Sequence, residues 1–250
     1  MRRSAILLLG VFGLLSTLSA VAIAANLVGT DGDDVLSGTR GPDQIYAEGG
    51  ADRLLGGGGS DYLEAGSGND RVRAGSGVDL VIAGTGDDRV VAAEGNDVVY
   101  AGAGADIVSG GPDRDTIFGQ IGDDRLFGGP SADRIYASLG EDFADGGSGP
   151  DRITGEAGDS TFVGGEGSDV ILVRGGNMTV RGNVGNDRLR TGAGNDRVSG
   201  GSGNDRIRTR EGNDEIHVRD GRRDWVNCGP GRDIVRADEL DVLSGCETRA

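Results

Sequence analysis

Residues 65–73 read AGSGNDRVR, and residues 200–208 read GGSGNDRIR. Both are copies of one nine-residue unit, G-G-x-G-x-D-x-U-x, in which U is a large apolar residue. The unit recurs twenty-one times from Gly29 to His217, without an insertion or a deletion. A short fixed period is typical of a solenoid, in which each repeat buries its apolar side chain only by stacking on its neighbours.

Three positions of the unit are nearly constant along the chain. The fourth is Gly in nineteen of the twenty-one copies, and Asp113 and Ser131 are the exceptions. The sixth is Asp in nineteen, and the eighth is Leu, Ile, Val or Phe in all copies except the one with Ala144. A core requires only the apolar column, so the aspartate column indicates a second requirement, a ladder of ligands.

Each unit is predicted to form a turn and a short strand. The first six positions are Gly-rich and polar, which favours a turn. The last three, such as Arg206-Ile207-Arg208, read as a strand whose eighth position points inward and whose seventh and ninth point outward. Two units return the chain to its starting side. The expected fold is therefore all-β, a parallel β-solenoid of about ten 18-residue coils with a C-terminal cap.

Composition indicates that hydrophobic burial alone does not stabilise this solenoid. Gly supplies 50 of 250 residues and the net charge is −16, a combination that is typical of disorder unless the apolar residues are placed regularly. One aliphatic side chain per nine residues makes a thin core. Aspartates stacked one strand spacing apart, ~4.8 Å, repel each other. The structure therefore requires counter-cations, and hard oxygen ligands suit calcium.

The N-terminus predicts export. Met1-Arg2-Arg3 is basic, residues 5–18 are almost wholly apolar, and Ala22-Ile23-Ala24 is a small-x-small cleavage site. We predict a secretory signal peptide over residues 1–24, and hence a secreted, extracellular protein with no stable membrane span after cleavage. A membrane anchor is the alternative, although the apolar run is short for a spanning helix.

After His217 the repeat frame slips by one residue, and the pattern fades in residues 218–250. This segment contains Cys228 and Cys246, the two cysteines of the chain. In an oxidising compartment they are expected to form a disulfide. With Trp225 they are predicted to cap the open end of the solenoid, residues 25–217. A binding module around Trp225 is the alternative.

The repeat resembles the haemolysin-type, or RTX, calcium-binding nonapeptide. The resemblance covers about three quarters of the chain. It implies a right-handed parallel β-roll in which each calcium ion lies between a turn and the turn one coil later. It also implies that the ligands are sixth-position carboxylates and backbone carbonyls of the Gly-rich turns. Neither the upstream effector domain nor the C-terminal secretion signal of RTX toxins and proteases is recognised here, so only the calcium-binding module carries over.

The expected Ca2+ ligands form two columns according to the parity of their unit. One column is unbroken and contains Asp43, Asp61, Asp79, Asp97, Asp115, Asp133, Asp151, Asp169, Asp187 and Asp205. The other contains Asp34, Asp52, Asp70, Asp88, Asp106, Asp124, Asp142, Asp196 and Asp214, with gaps at Ser160 and Met178. Together they give sixteen adjacent Asp pairs, so multiple calcium ions are expected. The alternative is turn-forming Asp that satisfies backbone amides.

Two of the turns are expected to be irregular. Asp113 and Ser131 replace the fourth-position Gly in successive turns of the unbroken column. A non-Gly residue there has to adopt a positive φ, which Asp tolerates better than Ser. We therefore expect weaker or distorted calcium sites at these two turns.

The sequence contains no catalytic constellation, with one His and no nucleophile motif, so an enzyme is not expected. The predicted function is a secreted calcium-binding β-roll in which several Ca2+ ions drive folding. The alternative is a surface adhesive or structural module that binds a cell-wall or extracellular polysaccharide, or another anionic polymer, through an outer β-face. Nucleic acid is not expected as a partner of so acidic a secreted chain.

Two surface features carry that alternative. The ninth-position residues Ile82, Tyr100, Phe118 and Tyr136 stack on successive coils. They form either a binding strip or a ladder that stabilises the sheet. Nearer the C-terminus, the same face carries Arg188, Arg190, Arg206 and Arg208. These form either an anion-binding cluster or a solvated face that offsets nearby carboxylates.

Overall fold

The computed structural model describes residues 24–249, which form twenty-six strands and no helix. The predicted signal peptide falls outside these residues, apart from Ala24. The strands belong to two sheets of thirteen. Sheet one contains β1 Asn26–Thr30, β3 Gln44–Glu48, β5 Tyr62–Ser67, β7 Leu80–Thr85, β9 Val98–Ala103, β11 Thr116–Ile121, β13 Arg134–Leu139, β15 Arg152–Gly155, β17 Val170–Val173, β19 Arg188–Arg190, β21 Arg206–Arg208, β23 Trp225–Asn227 and β25 Val242–Ser244.

Sheet two lies between these strands in the chain. It contains β2 Val35–Ser37, β4 Arg53–Gly58, β6 Arg71–Ser76, β8 Arg89–Glu94, β10 Ile107–Ser109, β12 Arg125–Pro130, β14 Phe143–Ser148, β16 Thr161–Glu166, β18 Thr179–Val184, β20 Arg197–Ser202, β22 Glu215–His217, β24 Ile234–Arg236 and β26 Thr248–Arg249. Consecutive strands thus alternate between the sheets, as one unit per half-coil predicts.

Every strand pairs in parallel with the strand one coil later, so equivalent repeat positions lie side by side. Leu63 is paired with Ile45 on one side and with Val81 on the other. The predicted all-β parallel solenoid is confirmed. Its stack is longer than the ten or so coils predicted, because residues before Gly29 and after His217 also form strands.

The strands are also longer than the three residues predicted. In β7, for example, Leu80–Thr85 covers positions seven to nine and the first three positions of the next unit. Val81 and Ala83 both point inward and are fully buried. The small first position extends the core, because Ala or Gly there lets the two sheets approach each other. Most units therefore bury one large side chain, with an Ala or a Gly beside it.

The Gly-rich positions are required by the closeness of successive coils. Gly84 has a φ of +113°, and a Cβ atom there would lie 1.9 Å from the carbonyl oxygen of Gly66. Ser131 adopts a φ of +98°, as predicted. Asp113 is not in the left-handed region, and its carboxylate instead accepts a hydrogen bond from the Gly95 amide at 3.1 Å. The two irregular turns therefore differ from each other.

The ninth-position residues of sheet one form the expected ladder. The rings of Tyr100 and Phe118 stack at 4.7 Å between centroids, and those of Phe118 and Tyr136 at 4.8 Å, with the planes within 8° of parallel. The ring faces therefore contact one another and only the edges meet solvent. This geometry supports a ladder that stabilises neighbouring strands.

The chain after His217 adds further coils to the solenoid. Trp225 pairs with Arg206 and lies on the outer face of sheet one, with its ring 5.3 Å from the guanidinium carbon of Arg206. It therefore does not cover the open end of the stack. Cys228 and Cys246 form a disulfide, with their Cα atoms 5.2 Å apart. This bond ties the terminal strands to the preceding coil.

Removing this disulfide should destabilise the C-terminal coils. The bond closes a loop of eighteen residues in sequence separation, so the chain-entropy model predicts a loss of roughly 3 kcal/mol. We expect the double variant Cys228→Ser, Cys246→Ser to need more calcium to fold and to aggregate more readily, because its last strand edges are less firmly held. Circular dichroism during a calcium titration measures this shift. Two free thiols in the exported protein, found by alkylation under denaturing conditions, would remove the basis for the prediction.

Candidate calcium sites

The structure places all nineteen predicted ligands in two rows along the solenoid. Each aspartate directly precedes a strand, so the unbroken column runs along the start of sheet one and the interrupted column along the start of sheet two. Eighteen of the nineteen are at most 3% exposed, and Asp34 in the first coil is half-buried. The parallel register brings successive members of each column one coil apart.

In every predicted ligand except Asp34, one carboxylate oxygen joins the aspartate to the preceding coil. Asp97 Oδ1 accepts a hydrogen bond from the Asp79 amide at 2.8 Å, and the Asp97 amide donates to Asp115 Oδ1 at 2.8 Å. Equivalent bonds of 2.7 to 3.0 Å run along both columns. The aspartates therefore do satisfy backbone amides, as the alternative interpretation held, but in the neighbouring coil.

The other carboxylate oxygen has no partner among the described residues. Oδ2 is buried and accepts no hydrogen bond in seventeen of the nineteen predicted ligands, all except Asp34 and Asp43. A buried charged oxygen without a partner is costly, and proteins satisfy it with a cation or a proton. Turn formation alone leaves these oxygens unexplained, so they support the calcium interpretation.

Backbone carbonyls lie close to the same aspartates. A Cβ atom placed on Gly95 would lie 1.5 Å from the carbonyl oxygen of Gly77 and 3.1 Å from Asp97 Oδ1. The Gly77 carbonyl oxygen and Asp97 Oδ1, the oxygen that also accepts from the Asp79 amide, therefore border one small space, which only a fourth-position Gly leaves open. The same pair of oxygens recurs around Gly140. Carbonyl and carboxylate oxygens together are the ligand set that calcium prefers.

Ser160, which replaces an aspartate of the interrupted column, shows what a different side chain does beside the turn carbonyl. Ser160 Oγ accepts a hydrogen bond from the Asp142 amide at 2.9 Å and donates to the Gly140 carbonyl at 3.2 Å. The hydroxyl thus uses its proton to satisfy a carbonyl that an aspartate, with no proton to donate, does not satisfy. At the second gap, Met178 is buried and its amide donates to Asp196 Oδ1 at 2.9 Å.

Sequence reasoning missed the last members of both columns. Asp224 Oδ1 accepts from the Asp205 amide at 2.7 Å, and Asp233 Oδ1 accepts from the Asp214 amide at 2.9 Å, each across nineteen residues. Asp224 and Asp233 also have the buried, unpartnered Oδ2 of the other ligands. Asp241 accepts from the Asp224 amide at 3.0 Å. The sequence does contain the pattern that marks these two ligands, since Asp224 and Asp233 each directly precede an apolar strand residue.

Side chains alone do not make a closed metal cage. Within residues 24–249, no three His, Cys, Asp or Glu side chains form a compact group that would hold a metal ion. Calcium takes six to eight oxygen ligands, so the backbone carbonyls of the turns have to contribute. The residues fit calcium because the nearby donors are oxygens. A softer metal that prefers His or Cys has no such ligands in these columns.

Burial controls the protonation of the columns when no metal is bound. It raises the pKa to about 7 in Asp88, Asp115, Asp124, Asp151, Asp187 and Asp224. It raises the pKa to about 6 in Asp61, Asp70, Asp97, Asp133, Asp142 and Asp196. Neighbouring carboxylates raise many of these pKa values further, because like charges repel.

The metal-free protein should therefore be more β-structured at acid pH. These aspartates bind protons more tightly when folded, so the folded state gains stability as the pH falls from about 7 toward about 4, and loses it as the pH rises through the folded pKa values. In excess chelator, we expect the β signal in circular dichroism to increase when the pH is lowered from 8 to 5. A spectrum that does not change with pH over this range would contradict the prediction.

No helix among residues 24–249 is both long enough and apolar enough to cross a membrane.

Comparison with known proteins identifies the repeat. A family model described as RTX calcium-binding nonapeptide repeat (4 copies) matches residues 28–63, 55–90, 82–117, 109–144, 145–177 and 181–216. No curated protein matches the chain significantly. Among solved structures, a hyperactive, Ca2+-dependent, β-helical antifreeze protein from an Antarctic bacterium is similar, with 20% identity and a TM-score of 0.48. That match covers 93% of this chain and 82% of the other.

Proposed function

The chain belongs to the family of RTX calcium-binding nonapeptide repeats, and on that premise we propose that it is a secreted protein whose β-roll folds as calcium ions bind between successive Gly- and Asp-rich turns. The observation that carries the proposal is the double row of buried carboxylate oxygens without partners. A β-roll of this kind is a structural calcium-binding element and not an enzyme family.

The physical role of calcium follows from the charges in each row. Successive aspartates such as Asp79, Asp97 and Asp115 are joined by amide-to-carboxylate bonds, so they are held within one coil of each other. Without a cation, the folded state has to bury their negative charges together. A ligand that binds only the folded form stabilises it in proportion to the logarithm of its concentration. Calcium is therefore a folding cofactor in this proposal, and the proposed ligands are the nineteen predicted aspartates together with Asp224 and Asp233.

Counting the bound ions tests the ligand assignment. The two columns contain sixteen adjacent pairs among the repeats, so we expect roughly a dozen or more calcium ions for the whole chain. Native mass spectrometry of the calcium-loaded protein gives this number. Fewer than about six ions would mean that most of the aspartates only satisfy backbone amides.

Secretion rests on the basic and apolar N-terminus and the predicted cleavage after Ala24. The Cys228–Cys246 disulfide is consistent with an oxidising compartment. N-terminal sequencing of the protein recovered from culture medium should give Ala25 as the first residue. Protein that remains in the cell with Met1 retained would rule out this part of the proposal.

A further inference from the structure

The outer face of sheet one carries an arginine quartet near its C-terminal end. Arg188 and Arg190 lie on β19, and Arg206 and Arg208 lie directly beside them on β21. Three of the four side chains are exposed, and Arg190 is half-buried. Like charges directly opposite each other on neighbouring strands destabilise a sheet. A negative charge bound to the quartet would therefore stabilise the sheet.

That charge does not come from the described part of this chain. None of the four arginines forms an ion pair within residues 24–249. The nearby column aspartates, Asp187 and Asp205, are buried with their Oδ1 atoms bonded to backbone amides. On the face that carries the quartet, the outward positions of β15, β17, β19 and β21 include no acidic residue. An anion from outside the protein can therefore bind these arginines without breaking an internal ion pair.

A groove lies next to the quartet, and an anion longer than the quartet could extend into it. It has a volume of about 410 Å³ and is lined by Leu172, Thr154 and four arginines, Arg152, Arg174, Arg190 and Arg210, of which Arg174 is paired with Glu156 at 3.4 Å. Gly192 lies between Arg174 and Arg210 at the same repeat position, so no side chain fills the space between these two arginines. Arg190 belongs to both the quartet and the groove, which makes one continuous basic strip.

The spacing of the arginines and the nearby carboxylates indicate what shape of anion the strip can bind. Positions seven and nine of one strand are about 7 Å apart, and neighbouring strands are about 4.8 Å apart. Two exposed glutamates lie outside the strands of this face, Glu166 at the end of β16 and Glu211 in the turn after β21. These carboxylates repel a broad polyanion such as a nucleic acid duplex, which favours a single thin chain. Guanidinium groups bind carboxylate and sulfate in a planar, bidentate way.

We propose that this arginine strip binds a linear acidic polysaccharide, with its carboxylate or sulfate groups on the arginines of β19 and β21. The site lies on a sheet face and not in the turns, so it is independent of the calcium columns. Arg206 also contacts Trp225, the single Trp of the chain. A polymer that engages Arg206 should therefore change the fluorescence of Trp225.

The test is a titration of the calcium-loaded full chain with dextran sulfate, followed by Trp225 fluorescence and by calorimetry. We expect saturable binding that weakens as salt is added. The variant with Arg188, Arg190, Arg206 and Arg208 all changed to Gln should bind at least ten-fold more weakly. Its circular dichroism spectrum and its bound calcium count should equal those of the unmodified chain, which separates this proposal from the calcium-dependent folding.

The opposite sheet supplies a matched control. Arg53, Arg71, Arg73 and Arg89 form an exposed quartet on β4, β6 and β8 that is also without ion pairs within the described residues. This quartet lines a smaller groove of about 280 Å³ whose other residues are apolar, so it lacks the further arginines that extend the strip beyond Arg190. Changing all four to Gln removes the same charge and should alter binding less than two-fold. Equal losses from the two quartets, equal binding of neutral dextran, or no binding of dextran sulfate would overturn the proposal. Tighter binding of a single-stranded oligonucleotide would assign the strip to nucleic acid and overturn the polysaccharide assignment.

Discussion

Excess chelator at neutral pH should convert the protein from a β-sheet to a largely disordered chain, and calcium should restore the β-sheet. Seventeen of the predicted ligands bury a carboxylate oxygen that accepts no hydrogen bond from residues 24–249. Most units bury only one large side chain, with an Ala or a Gly beside it, as Val81 and Ala83 do. The cost of stacking ionised carboxylates therefore exceeds what this thin core offsets. Far-ultraviolet circular dichroism during a calcium titration measures the transition.

Magnesium is the control for this experiment. It prefers six ligands in a nearly ideal octahedron and loses its water reluctantly. Backbone carbonyls and carboxylates spaced by the coil are poorly suited to it, so magnesium at the same concentration should leave the chain disordered. A fully β spectrum in excess chelator at neutral pH would show that the core alone suffices, and calcium would then not be a folding cofactor.

Replacing one aspartate in the middle of the unbroken column should weaken two calcium sites together. Asp97 accepts from the Asp79 amide and donates to Asp115 Oδ1, so it connects the coils on both sides. Asp97→Ala leaves the buried Asp79 amide without its acceptor, which costs about 1–3 kcal/mol, and removes one carboxylate from each of two adjacent pairs. We expect two fewer bound ions and a several-fold higher calcium midpoint for folding, because solenoid stability is a sum of nearest-neighbour terms.

Two further variants separate the hydrogen bond from the charge. Asp97→Asn retains an oxygen for the Asp79 amide and removes the charge, so it should lose calcium ions while being destabilised less than Asp97→Ala. Asp87→Asn removes the same charge from an exposed position five whose side chain binds only the Ala105 amide. It should leave the calcium count unchanged. If Asp97→Ala kept both the calcium midpoint and the ion count, the shared-ligand arrangement would be wrong.

The broken column permits the reverse experiment. Met178 occupies the sixth position beside Asp196, and its amide already donates to Asp196 Oδ1. Met178→Asp places a carboxylate next to Asp196 in an existing backbone frame. It should add about one bound calcium ion, on the coordination that calcium requires, although losing the buried Met side chain weakens local packing. An unchanged ion count would mean that an adjacent Asp pair is not sufficient for a site.

Most of the fold could be predicted from the nine-residue period. It specified which side chains face inward, which face outward and which stack, because a parallel solenoid places equal repeat positions side by side. The ladder from Ile82 to Tyr136 followed from that rule. So did the two aspartate columns. Strand length was underestimated, because small residues at the first position permit pairing that hydrophobic periodicity does not reveal.

The fixed nine-residue spacing did not predict the column members that follow the point where the repeat frame slips. Asp205 and Asp224 are nineteen residues apart, and Asp224 and Asp241 are seventeen apart, yet amide-to-carboxylate bonds join them as in the regular coils. The column is maintained by backbone pairing between strands, and the turn between the strands absorbs an extra or missing residue. A fixed-period search cannot follow such a change, whereas the folded chain realigns at the next strand.

The sequence by itself determined the coil length, the inward residues, the two columns and the oxygen chemistry that selects calcium, because all of these are periodic. Only the tertiary structure showed that one carboxylate oxygen is used by the neighbouring coil and that the other is buried without a hydrogen-bond partner in most of the aspartates. It alone placed Trp225 on the sheet face and joined Arg190 to a groove opened by Gly192. These features depend on distances between coils, and such distances are set by backbone hydrogen bonds between residues far apart in the chain.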